Sequence, residues 1–212
     1  MTRPDNYAIQ AQDAKKRFLT YDQNKIIEKF HLAWDEDYLY PVMLGSTYRL
    51  CRKTGNVERK AGENWVDGNS FGEVMTLLDM LCDAKDSRYL IGRYKQQQHF
   101  GQMFHQDLTD GAASPLALAF DENEDALRRA CQALGAKEFP GGDYGCMIEL
   151  FDGLCIGLLF WHGDEEFEPR QRTFWDENAL QWIRYETAYY AQSLILKRLS
   201  DMMLFSKPSV HL

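Results

Sequence analysis

The spacing of apolar positions changes several times along the chain, and each change predicts an element. Tyr7, Ala11, Ala14 and Phe18 recur at helical intervals beside Lys15, Lys16 and Arg17, which predicts a helix over residues 5–19 with a partly basic surface. Asp22 is placed to cap a second helix, whose buried stripe is Ile26, Ile27, Phe30 and Ala33 and which ends at Trp34 and the acidic Asp35-Glu36-Asp37. Together they make an N-terminal helical hairpin. The period then shortens. Tyr48 and Leu50 alternate with Arg49 and Cys51, Lys53-Thr54-Gly55-Asn56 supplies a turn and Val57 leads out, so residues 47–66 read as a β-hairpin. Ser70 stands three positions before Glu73, the spacing of a capping box, and Phe71, Val74, Met75, Leu78 and Cys82 follow as one helical face.

Residues 85–114 carry no clean period. They are polar with scattered aromatics (Tyr89, Tyr94, Phe100, Phe104) and read as irregular structure with one short helix near Phe100. Asp121 and Glu124 again sit at capping spacing, ahead of a face made by Leu127, Ala130, Cys131 and Leu134, with Gly135 as the terminator. Pro140-Gly141-Gly142 breaks the chain. Asp152-Gly153 between two apolar runs calls for a type I′ hairpin turn, which needs positive φ at both central residues. Leu154 to Trp161 holds no charged residue, so it reads as a central strand covered on both faces. A last helix starts near Tyr185 and presents Ala188, Ala191, Leu194, Ile195, Leu199 and Met202 as a lid for that sheet. The pattern is that of an α+β fold: a mainly antiparallel sheet with a central apolar strand, covered by helices. With no internal repeat and no Pro-, Gly- or Ser-rich linker, residues 1–212 read as a single domain, in which 1–40 form a helical N-terminal extension and 45–200 the α+β body.

Charge and cysteine usage narrow the partners. Thirty-two acids against twenty-four bases leave a formal charge of −8, a field that repels phosphate backbones and anionic membrane faces, so no nucleic acid is expected as a partner. No window approaches the roughly 18 apolar residues of a spanning helix and the start of the chain has no apolar signal region, so no membrane is expected and the chain reads as cytoplasmic. The five cysteines (Cys51, Cys82, Cys131, Cys146, Cys155) include no C-x-x-C pair and lie in apolar neighbourhoods, which reads as buried thiols with no metal or other cofactor. Gly-rich phosphate loops and H-E-x-x-H are absent from the sequence.

One segment concentrates groups that could do chemistry. Trp161-His162-Gly163-Asp164-Glu165-Glu166-Phe167 leaves the end of the central strand, where a rigid sheet presents side chains to solvent. Asp164, Glu165 and Glu166 could bind a hard cation, or one of them could serve as a general base beside His162, with Tyr94 or His99 opposite. The plainer reading is a charged turn that ends a very apolar strand, one carboxylate accepting hydrogen bonds from its own loop. A facial triad of His99, His105 and a distant acid is a further arrangement for a metal.

From Asp143 to Leu199 the order of elements is a strand, Phe151-Asp152-Gly153, a second apolar strand ending in Trp161, then Gly163-Asp164-Glu165-Glu166-Phe167, a Phe174-Trp175-Asp176 turn and a helix opening at Tyr185-Glu186. This order resembles an uncharacterised prokaryotic family known only as a domain of unknown function and found mostly in anaerobes. Weaker likenesses extend upstream to Tyr48-Arg49, to Leu77–Leu81, and to Gly92 with Tyr94 two residues on. Here Glu168 separates Phe167 from Pro169, where family members place the proline next to the phenylalanine. Some members carry an iron-sulfur domain of the corrinoid methyl-transfer type, whose cysteines the first forty residues lack. The resemblance implies no activity of its own. The favoured reading is a binding or interaction domain for a small molecule or a partner protein. The alternatives are a metal-assisted or general-base enzyme using the acidic loop, and an accessory protein of anaerobic one-carbon or redox metabolism. A homo-oligomer is left open.

Overall fold

The computed structural model describes residues 5–100 and 114–205. It divides into two compact units: one runs to Leu90 and takes in Asn178–Ala191, the other comprises Ile91–Glu177 and the chain from Gln192 onward.

In the first unit, α1 (Asn6–Phe18) and α2 (Gln23–Phe30) are capped by Asp5 and Asp22, whose side chains accept backbone N–H bonds of the first turn. The second helix stops earlier than its apolar stripe suggests. His31 adopts a left-handed conformation (φ 49°), and Ala33–Trp34 is instead β1, paired with β2 (Tyr38–Tyr40). Next come β3 (Val42–Met43), β4 (Ser46–Cys51), β5 (Val57–Ala61) and β6 (Asn64–Asp67). All pair antiparallel, in the order β1-β2-β4-β5-β6 with β3 added to β4. The hairpin expected over 47–66 is present as β4 and β5, with Arg49 opposite Glu58, and a second tight turn adds β6.

Ser70 caps α3 (Phe71–Asp83), but the capping box is rewired. Glu73 is buried and accepts hydrogen bonds from the Ser70 hydroxyl (2.7 Å) and the Tyr48 hydroxyl (2.9 Å), tying the helix to β4. Asp79, at 1% exposure, is paired with Arg17 of α1 and accepts from the Thr187 hydroxyl, so a charge inside the unit is fully partnered.

The second unit holds β7 (Tyr94–Gln96), a short 3₁₀ turn (Gln97–Phe100), α4 (Pro115–Glu122), α5 (Glu124–Ala133), β8 (Lys137–Glu138), β9 (Tyr144–Phe151), β10 (Leu154–Trp161) and β11 (Arg170–Asp176). The first turns of α6 (Tyr185–Phe205) belong to the first unit and its remainder to the second. The sheet order β7-β11-β10-β9-β8 places β10 in the centre, all neighbours antiparallel. The β9–β10 turn has Asp152 at φ 50° and Gly153 at φ 78°, as the sequence requires. Phe174–Asp176, expected as a turn, is the end of β11; the Asp176 carboxylate accepts backbone N–H bonds from Ile91 (3.0 Å) and Gly92 (2.7 Å).

The two faces of β10 are unequal. Leu154, Ile156, Leu158 and Phe160 are all fully buried, on the face where α4 packs against β10 and β11 and Phe120 meets Phe160. On the opposite face the Phe139 ring lies on Gly157, flanked by Tyr94 and Phe174, and Leu159 meets Gly141 and Gly145. A Cβ at position 157 would sit 2.7 Å from Phe139 Cε1, which explains a glycine in an otherwise bulky strand. Cys82, Cys131 and Cys146 are buried as expected, whereas Cys51 and Cys155 are only half-buried; all five are free thiols. Among the described residues no helix is long and apolar enough to cross a membrane.

Candidate functional site

The side chain that the structure sets apart is His162, the residue directly after β10. Its backbone N–H donates to Asp143 (2.8 Å), which ties it to the start of β9. Its ring stacks on the buried Phe120 of α4, centroids 4.4 Å apart, and both ring nitrogens meet carboxylates: Nδ1 lies 2.9 Å from Asp121 Oδ1 and Nε2 2.8 Å from Glu124 Oε2. Asp121 also accepts the Gly163 N–H (3.0 Å). Hydrogen bonds to Glu124 first, and then Asp121, raise the histidine above its ordinary pKa, and the same contacts hold both acids below theirs. With a carboxylate at each ring nitrogen this histidine ties β10 to α4 and α5, and its imidazolium form would donate to both acids.

Asp121 and Glu124 had looked like a capping pair. Instead Asp121 lies in the last turn of α4, and Asn123 caps α5 by accepting from the Ala126 N–H (3.0 Å). The three-residue spacing that imitates a capping box serves to aim two carboxylates at one ring.

The acidic loop behaves as a turn. Asp164 Oδ1 accepts from the backbone N–H groups of Glu166 and Phe167, both at 2.8 Å, and its own N–H donates to the Phe167 carbonyl (2.9 Å). Those two backbone donors lower its pKa. Glu165 and Glu166 are exposed. Trp161 is half-buried at the strand end, opposite Arg170, whose guanidinium lies over the Trp161 and Phe167 rings. Tyr94 is elsewhere. It pairs with Asp176 while Trp161 pairs with Arg170, six steps along β11 at about 3.3 Å each, so it faces another part of the sheet. His99 is exposed in the 3₁₀ turn, and His105 lies outside the described residues. Among the described residues no three His, Cys, Asp or Glu side chains gather as a metal site.

What sequence reasoning passed over is the glycine loop before β9. With α5 it walls a pocket of about 390 Å³, lined among others by Arg128, Gln132, Phe139, Gly141, Gly142 and Tyr144. Gly142, at φ 66°, approaches β10 so closely that a Cβ would lie 2.5 Å from the Phe160 carbonyl oxygen, and Asp143 N–H donates to that same oxygen (2.8 Å). On the helical wall Glu124 also accepts from Arg128 Nε (2.6 Å), and the guanidinium lies 4.2 Å over the Tyr144 ring. A chain of contacts thus runs from His162 through Glu124 and Arg128 to Tyr144. Pro140-Gly141-Gly142 was legible only as a chain break; nothing local in it points to α5.

The family described as "Domain of unknown function (DUF3786)" matches the chain over residues 22–198. No curated protein and no solved structure matches it.

Proposed function

The chain belongs to the DUF3786 family, whose description assigns no activity, and from that premise we propose that its second unit is a binding module for a small polar molecule, taken up between α5 and the glycine loop. One observation carries the reading. The pocket, at about 390 Å³, is of ligand size, and both of its walls are held in place before any ligand arrives. The loop wall is fixed by the contact of Gly142 with Phe160, and the helical wall by the His162–Glu124–Arg128 relay. A wall that needs no ordering on binding spares affinity the entropy of closure.

The chemistry of the lining sets the ligand class. Lys137 and Glu138 bring opposite charges, Gln132 an amide, and the glycine loop bare peptide groups, so the pocket suits a compact molecule with both donors and acceptors. Arg128 and Glu124 neutralise one another and serve position. The enzyme alternative has less support among the described residues, where both His162 nitrogens meet carboxylates and Asp164 is turned into its own loop.

Thermal-shift and ligand-observed NMR measurements with a panel of free amino acids, nucleosides and short dicarboxylates test the proposal. At least one should bind saturably, and at a hundredfold excess over its Kd should add about 2.7 kcal/mol of stability. Gln132→Trp, which fills the pocket from an exposed helical position, should keep the parent melting temperature and lose that gain. A panel without a binder, or a binder unaffected by Gln132→Trp, would overturn it.

A further inference from the structure

Behind the helical wall of the pocket lies a feature that binding does not use. Cys131 of α5 and Cys146 of β9 are 0% and 1% exposed, and their sulfurs are 3.3 Å apart. We propose that Cys131 and Cys146 form a redox-active dithiol, converted by a peroxide into a reversible disulfide that joins α5 to β9.

The acidities of the two sulfurs move in opposite directions. The two sulfurs share one hydrogen bond that either thiol could donate, and the Tyr144 hydroxyl lies beside both, with the Arg128 guanidinium near Cys131. The hydrogen bond with Cys146, the largest influence, lowers the Cys131 thiol against the effect of burial, with help from Tyr144 and Arg128. The same bond, together with burial, raises Cys146. A more acidic thiol in contact with a less acidic one is the arrangement of an attacking and a resolving cysteine. The other three cysteines differ. Cys82 is buried and pushed up to about 12, while Cys51 and Cys155 are half-buried on separate strands.

The chemistry balances with the peroxide as the only oxidant. The Cys131 sulfur attacks one peroxide oxygen and the O–O bond breaks, giving a sulfenic acid and a hydroxide that takes up a proton as water. Cys146 then attacks the Cys131 sulfur, the S–O bond breaks, and the departing hydroxide carries off the Cys146 proton as a second water. Two electrons pass from the thiols to one peroxide. A dithiol reductant reverses the change by exchange. Closing the sulfurs from 3.3 Å to a bond of about 2.05 Å is a small displacement of α5 relative to β9. The pocket lies on the same two elements, since Arg128, Gln132, Tyr144 and Gly145, which line it, neighbour the two cysteines in sequence. Bridging would pin the helix that carries Glu124 and Arg128, so oxidation would fix the pocket wall whatever the pocket holds.

The test uses the full chain, reduced, freed of reductant and exposed to hydrogen peroxide, then alkylated and digested without reduction. A cross-linked peptide pair containing Cys131 and Cys146, two hydrogens lighter than the sum of its parts and released by dithiothreitol, is the expected product. In Cys146→Ala the sulfenic acid at Cys131 should persist and be trapped by dimedone, whereas Cys131→Ala should leave Cys146 unmodified. Cooperative melting of each variant establishes that it is folded, and where one is not, the peptide map of the parent chain decides. Both thiols still free under conditions that oxidise Cys51 or Cys155 would overturn the proposal, as would either sulfur bridging to a different cysteine.

Discussion

His162 Nε2 and Glu124 Oε2 stand 2.8 Å apart, joining the end of the central strand to the first turn of α5 through a charged hydrogen bond. Because Glu124 also receives Arg128, this one carboxylate couples the strand end to the pocket wall. The pairing is solvent-accessible, so its worth follows pH and salt more than burial.

The pH dependence has a definite sign. His162 is raised above its free value of 6.5, so its stabilisation is complete below 6.5 and is lost as pH rises through its folded pKa. Asp121 and Glu124 are lowered from 3.8 and 4.5, so theirs is complete above those values and is lost as pH falls through their folded pKa values. The clamp is therefore strongest between about pH 4.5 and 6.5. The melting-temperature difference between the parent chain and His162→Gln should be largest in that window and shrink above it; a flat difference from pH 5 to 9 would refute the clamp.

Burial makes β10 the most sensitive strand. Leu158 and Phe160 are fully buried, and an aspartate at either position would leave an unpartnered charge among aromatic and aliphatic side chains. The cost, several kcal/mol, is comparable to the whole stability of a typical domain. Leu158→Asp and Phe160→Asp should lose cooperative unfolding as followed by circular dichroism; either one melting like the parent would displace β10 from the centre.

Much of this was readable in advance, and the exceptions share a cause. Asp152-Gly153, the uncharged β10 and the Ser70 cap act through local backbone chemistry, so their residues announce them. β1 and β3 have two residues each and exist only because Leu39, Tyr40, Ser46 and Thr47 lie opposite. α4 is an eight-residue helix after Ser114-Pro115, too short for a clear period. The site was half visible: His162 stood out, but its partners are 41 and 38 residues away and their spacing imitates a helix cap. Partners supplied by tertiary contact leave no local trace.

The acidic loop should be indifferent to divalent cations. Asp164 is committed to the N–H groups of Glu166 and Phe167, and Glu165 and Glu166 are exposed. Millimolar Mg²⁺, Ca²⁺ or Mn²⁺ should leave the melting temperature unchanged. Asp164→Ala should lower it through the lost turn, while Glu165→Gln and Glu166→Gln should not. A cation-dependent rise abolished in either glutamine variant would move the assignment to a metal site.

Phe139 and Gly157 make the sharpest packing test, since the ring lies directly on the strand and Phe139 also lines the pocket. In Gly157→Ala the new methyl would fall 2.7 Å from Phe139 Cε1 and 3.0 Å from Cδ1, so the ring must tilt away from Tyr94 and Phe174. Overpacking of this kind costs about 1–3 kcal/mol. Phe139→Ala alone should also destabilise, by uncovering Gly157 and half of the aromatic cluster. Combined, the two changes relieve one another, because the methyl enters space the ring has left. The double variant should therefore be more stable than the sum of the single losses predicts, by roughly 0.5–3 kcal/mol of coupling in urea unfolding. Additive losses would mean that the ring does not rest on the strand, and that the floor of the pocket is built differently.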